Sequence, residues 1–192
     1  MNDNTLSCRA PFLAEPSSVV NPRVGVTLPL GARAEMADKR PLADRIEVGA
    51  PGLAALAART LGRLPDAVRR RVLQSAFDRA RDAFNRGDFE AVFALFAPDV
   101  EYGPPLPLYE GRPLRGRAAV FDFWRGVRAH YDDSTIENLS IEETAPGYIV
   151  RRARLHHRSR STGEDLAYVI TQTTELNGGR VVRQFNVLED DS

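Results

Sequence analysis

Apolar residues follow helical spacing through the middle of the chain and alternate along its last third. Val120, Phe123, Trp124, Val127 and Tyr131 fall at i, i+3, i+4, i+7 and i+11, one face of a helix. An earlier stripe, Val72, Leu73, Ala76, Phe77, Ala80 and Phe84, predicts a helix that follows Pro65, with Asp66 as its cap. "NRGD" (85–88) breaks that helix, and Asp88 is placed to cap another, "FEAVFALF", ending near Pro98. "LAALAARTLGRL" (53–64) is a shorter helical candidate, interrupted by Gly62 and stopped by Pro65. Later the period becomes two. Strands are expected at about 134–143, 148–160, 165–176 and 180–188. They are separated by Pro146-Gly147, Ser161-Thr162-Gly163 and Asn177-Gly178-Gly179, all with turn chemistry. Helices followed by an antiparallel meander make an α+β domain with its helices on one sheet face.

Residues 1–48 lack either period. Pro11, Pro16, Pro22, Pro29 and Pro41 recur through them, so a mostly disordered tail is expected there. A short helical linker is expected over 49–66 and the folded domain over 67–190. Met36 opens "MADKRPLADR", itself a plausible N-terminus. Residues 1–35 are accordingly read as an upstream extension, an expectation that the intact mass of the native protein tests.

Composition narrows the function classes. With Lys+Arg 26 against Asp+Glu 26, no global field draws the chain to nucleic acid or an acidic membrane. The single cysteine, Cys8, permits neither an intramolecular disulfide nor a thiolate metal cluster. "MNDNTLSC" lacks the basic head and apolar run of a secretory signal, and no apolar run reaches the ~18–20 residues of a membrane span. A cytoplasmic protein without a membrane partner is expected.

The densest basic run, "YIVRRARLHHRSRSTGE" (148–164), splits by parity when read as a strand. Ile149, Arg151, Ala153, Leu155, His157 and Ser159 share the face with the apolar residues, which should point inward. Arg152, Arg154, His156, Arg158 and Arg160 share the other face. A nucleic-acid stripe is disfavoured, because exposed aromatics are not interleaved with these arginines. His156 and His157 point oppositely, His130 is remote in sequence, and no metal site is expected. No cofactor is expected either: "NGG" closes a hairpin and is not a phosphate loop.

The order and spacing of "AFNRGDFEAVFALFAPDVEY" (83–102), "YEGRPLRGRAAVFDFW" (109–124) and "ELNGGRVVRQFNV" (175–187) resemble the nuclear transport factor 2-like superfamily, particularly its bacterial SnoaL-like branch. The resemblance covers about residues 67–190. It implies a cone, a curved antiparallel sheet wrapped around three N-terminal helices (a cystatin-like α+β barrel), with an internal pocket. It also implies a homodimer through the outer sheet face, which Ala167, Val169, Thr171 and Thr173 would suit.

The superfamily's chemistries can be compared with this chain by position. The carboxylate base of a ketosteroid isomerase aligns with Gly103 or Pro104, its Tyr near Ala80 and its protonated acid near Gln172. None of these residues fits. "YGPPLPLYEGR" (102–112) resembles the first strand of limonene-type epoxide hydrolases, and Tyr102 matches their Tyr. Pro104, however, stands where they carry Asn, and no inward pair of acids is found. No inward Asp suits a SnoaL-like cyclase.

The family register places Leu166, Tyr168, Ile170, Gln172 and Thr174 inward, with Val182, Gln184, Asn186 and Leu188 on the last strand. Tyr102, Pro104 and Trp124 join them. The expected cavity is polar but short of carboxylates: Tyr102, His157, Tyr168, Gln172, Gln184 and Asn186, with Arg151 at the rim. Trp124, Tyr168, Gln172, Gln184 and Asn186 are candidate ligand contacts, because a buried amide needs partners that a ligand can supply. His157 and Tyr102 are candidate proton-transfer groups, although a lone strand histidine also suits a structural role. Two functions stay open. One is a non-catalytic or accessory pocket for a small, largely apolar ligand. The other is a cofactor-independent isomerase, cyclase or hydrolase.

Overall fold

The computed structural model describes residues 40–60, 63–105, 108–109 and 111–189. Two helices come first, α1 (Leu42–Gly49) and α2 (Pro51–Thr60). They are followed by α3 (Asp66–Asn85), α4 (Phe89–Val92), β1 (Phe96–Gly103), β2 (Leu114–Arg115) and α5 (Arg117–His130). Four long strands complete the chain: β3 (Tyr131–Ala145), β4 (Tyr148–Ser159), β5 (Asp165–Asn177) and β6 (Arg180–Leu188). Most of the tail expected over 1–48 lies outside the described residues, but its last part is helix α1. Charge pairing explains the difference. Arg40 donates to Asp88 at 2.6 and 2.7 Å and to Glu90 at 2.7 Å, while buried Asp44 accepts from Arg86 at 2.9 Å. These contacts are long-range and leave no periodic signal.

Pro65 takes the N-cap position of α3, so Asp66 falls in the first turn and pairs with Arg69 at 3.1 Å instead of capping. Leu73 and Phe84 of the expected stripe are buried, whereas Val72 is exposed. Asp88 caps α4 as expected, accepting from the Ala91 N–H at 3.3 Å. That helix ends at Val92 rather than near Pro98. Phe96 is needed in the sheet opposite Val181, and this tertiary pairing overrides the helical pattern of "FEAVFALF".

The sheet is curved and unclosed, in the order β2-β1-β6-β5-β4-β3. Its ladders are antiparallel except β1 with β6, which run parallel, so the sheet is not the purely antiparallel one expected. Helices α3 and α5 pack on its inner face. The core between them is rich in rings: Trp124 meets Phe84 edge-on at 5.0 Å and Phe123 at 5.3 Å. Burying rings such as Phe123 contributes roughly 2–3 kcal/mol each.

Strand parity on β4 is as read from sequence. Ile149, Arg151, Ala153, Leu155 and His157 are buried, while Arg152, Arg154 and Arg158 are exposed. On β6 the parity changes at one point. The register shifts between Glu175 and Leu176, so Leu176 stands opposite Val181 while Glu175 stands opposite Arg183. Val181 therefore takes the buried place expected of Val182, and Leu188 is exposed at the strand end. Gln184 and Asn186, beyond the irregularity, keep their inward face.

Candidate functional site

A partly open cavity of about 180 Å³ lies at the open side of the cone. Its walls come from α3 (Leu73, Ala76, Phe77, Ala80), the aromatic core and the inner sheet face, and α1 and α2 add Glu47 and Ala58. The two N-terminal helices are held there by side-chain bonds. Arg79 donates to Glu47 at 3.0 Å, and Arg59 Nε donates to the Gly178 carbonyl at 2.9 Å. Gly179, at φ +76°, lies so close to α2 that a Cβ would sit 2.1 Å from the Ala55 carbonyl oxygen.

Register builds the polar side of this cavity. Arg151 on β4 is opposite Gln172 on β5, which is opposite Asn186 on β6. One row along, Thr174 is opposite Gln184, which pairs across the parallel ladder with Tyr102. The side chains bond along these rows. Arg151 donates to Gln172 Oε1 at 3.4 Å, Gln172 Nε2 to Asn186 Oδ1 at 2.8 Å, and Asn186 Nδ2 to the Gly103 carbonyl at 2.7 Å. Thr174 donates to Gln184 at 3.4 Å, and Trp124 Nε1 donates to the Tyr102 hydroxyl at 3.0 Å. Tyr102, Trp124, Gln172, Gln184 and Asn186 thus line one cavity. Burial raises the Tyr102 pKa above its ordinary value, so the phenol stays protonated at neutral pH.

Arg151 is not at the rim. It is only 6% exposed, and it lines the cavity between the inward Ile149 and Ala153. Its guanidinium lies over the Phe77 ring, 5.6 Å from the centroid. Burial first, and then the charge of Arg81, lower its pKa to about 10, so it remains a cation at neutral pH. A charged residue at an inward position of an apolar strand face was the sequence signal for it. Thr174 and Phe77 also line the cavity and were not among the candidate contacts read from sequence.

His157 and Tyr168 are not among the cavity's lining residues. His157 is six residues beyond Arg151 on β4, about 20 Å along the strand. Its ring nitrogens are both engaged, Nδ1 with Ser134 Oγ at 2.9 Å and Nε2 with the Tyr168 hydroxyl at 3.1 Å. Burial, then the neighbouring His156, lower its pKa to about 4 and hold the imidazole neutral. Tyr168 is bound to this separate group, and burial pushes its phenol up as well.

The outer face bears the conspicuous arginines, and carboxylates answer them across the sheet. Arg152 makes two bonds to Glu189 at 2.6 and 2.7 Å, Arg154 reaches Glu137 at 2.9 Å and Arg160 reaches Asp132 at 2.8 Å. Among the described residues no group of three His, Cys, Asp or Glu converges as metal ligands, and no helix is long and apolar enough to cross a membrane.

An α+β cone with helices packed inside a curved sheet and a one-sidedly polar cavity defines the class of this protein. The chain belongs to the SnoaL-like domain family, whose model matches residues 77–184, more than half of its length. No curated protein matches the sequence. Solved structures share the fold at low identity. An NTF2-like protein of unknown function from Burkholderia pseudomallei is 22% identical with a TM-score of 0.53, over 60% of this chain and 89% of that one. IdmH from Streptomyces antibioticus, a candidate polyketide cyclase, is 21% identical with a TM-score of 0.52, over 60% and 91%. Bal32a, from a soil-derived mobile gene cassette, is 19% identical with a TM-score of 0.54, over 61% and 88%.

Proposed function

We propose that this protein binds a small, largely apolar molecule in the cone cavity and holds it without turning it over. The observation that supports this most is the mismatch between a well-formed cavity and its titratable groups. Among the described lining residues Glu47 is the only carboxylate, and it is engaged by Arg79. Tyr102 is a phenol raised above its ordinary pKa, and the imidazole lies outside the cavity. No group is therefore poised to take a proton from a bound molecule at neutral pH. An isomerase, cyclase or hydrolase using His157 or Tyr102 is the lesser reading, because His157 would need to break both of its bonds to reach a substrate.

Filling the cavity tests the proposal. Ala80 lines it from α3, and Ala80→Phe should abolish binding of an apolar fluorescent reporter while the variant still unfolds cooperatively. Should Ala80→Phe not fold, Ala76→Leu is the smaller plug. Undiminished reporter binding in a folded plugged variant would refute the cavity as the site.

For assembly we propose a cytoplasmic homodimer through the outer sheet face, where Ala167 and Thr173 are exposed. Light scattering that gives a monomer at micromolar concentration would refute it. The paired arginines leave little free charge for nucleic acid, so retention on DNA or RNA is not expected.

A further inference from the structure

Deepening the ligand-pocket reading, and resting on it, the geometry points to Arg151 as the receptor for an acid: the cavity's occupant carries a carboxylate, or a planar two-oxygen anion of the same shape, on an apolar body.

The guanidinium is almost fully buried, yet its Nε and Nη2 atoms have no hydrogen-bond partner. Nη1 has only the long 3.4 Å bond to Gln172. The charged and polar groups nearest it are bonded elsewhere. Asp78, facing it from α3, accepts from Arg81 at 2.9 Å and from Asn138 at 3.0 Å. Arg81 itself is a like charge. The Tyr102 hydroxyl is bonded by Trp124, Asn186 is bonded to Gln172 and Gly103, and Phe77 offers only a ring face. Elsewhere the arginines have answers: Arg40, Arg69, Arg86, Arg152 and Arg154 each pair with a carboxylate.

The two free atoms also define the shape of what is missing. Nε and Nη2 lie on one edge of the guanidinium, so their N–H groups run parallel and match the two oxygens of one carboxylate. A neutral carbonyl would have to share one oxygen between both donors and would leave the charge unanswered. Away from the polar rows the walls are mostly alanines, leucines, valines and phenylalanines, which suit a hydrocarbon or aromatic body. One cation on an otherwise uncharged sheet face fits a monoanion better than a phosphate.

Matched acid and amide pairs test this on the full chain: benzoate with benzamide, 2-naphthoate with 2-naphthamide, and octanoate with octanamide, titrated by calorimetry. The pairs have nearly the same size and differ in charge and second acceptor. In the wild type at least one acid should bind tenfold or more tighter than its amide. Arg151→Met should erase that ratio while keeping the amide's affinity, and Arg151→Lys should restore only part of it. Circular dichroism checks that both variants fold. Equal binding of acid and amide, or a ratio that survives in Arg151→Met, overturns the acid receptor and leaves the pocket standing. If no member of any pair binds, the pocket reading falls and this inference with it.

Discussion

A buried guanidinium without a counter-ion should destabilise the empty protein, and replacing it should have the opposite sign from an ordinary core mutation. Take Arg151→Met, which keeps an unbranched stem of similar reach and removes the charge. Burial in the folded protein lowers the Arg151 pKa by more than two pH units from its ordinary value, to about 10. At about 1.4 kcal/mol per pH unit, the charged form is disfavoured on folding by roughly 3 kcal/mol. The sign follows from linkage. Below about pH 10 both folded and unfolded chains carry the proton, so the whole penalty is present at neutral pH and is relieved only as pH rises above 10 towards arginine's ordinary pKa.

Two losses offset the gain. The cation–π contact with Phe77 is worth about 1 kcal/mol, and leaving Gln172 Oε1 without its weak donor costs about 1 kcal/mol. A net stabilisation of about 1–2 kcal/mol remains, or roughly 3–6 °C in Tm for a domain of this size. Urea denaturation and thermal melting of ligand-free protein at pH 7 measure it. A variant less stable than wild type by 2 kcal/mol or more would refute the reasoning, since the charge would then be compensated in the empty fold.

Three further outcomes follow from the same geometry. His157 is held neutral with a pKa of about 4. Its contribution is complete above pH 6.5, and about 3 kcal/mol is lost as pH falls towards 4, because the unfolded chain takes up the proton first. His157→Gln should flatten that pH dependence in urea midpoints at pH 7 and 5 and leave cavity binding unchanged; an unaltered slope contradicts it. Gly179→Ala places a methyl group against the Ala55 carbonyl at a positive φ, so it should cost about 1–3 kcal/mol and increase hydrogen exchange across residues 51–60. Protection there equal to wild type would show that α2 does not depend on this approach. Asp88→Ala removes both the α4 cap and one of the two carboxylates bonded by Arg40, and should lower stability by about 2–4 kcal/mol in chemical denaturation.

The sequence made local periodicity readable and hid what depends on distant partners. Val120, Phe123, Trp124 and Val127 could be placed on one buried helix face because the period is set within four residues. The β4 alternation was readable for the same reason. The exchange of Val181 for Val182 was not, because it depends on a register irregularity between two strands. "FEAVFALF" misled because Phe96 satisfies helical spacing and sheet pairing equally well until Val181 is in place. His157 and Arg151 mark the sharper limit. Parity puts both inward, but the curvature of the sheet and the helices packed on it decide which inward residue meets empty space. Arginine's charge argued for the rim, although the apolar residues on either side of it were the better guide.

The most direct test of a ligand-holding cone is the native mass spectrum of this protein isolated from its own host, beside that of Ala80→Phe prepared identically. The account predicts the chain carrying one small molecule that is absent from the plugged variant and ionises as an anion on release. A bare chain in the wild type, or the same added mass in folded Ala80→Phe, would contradict it.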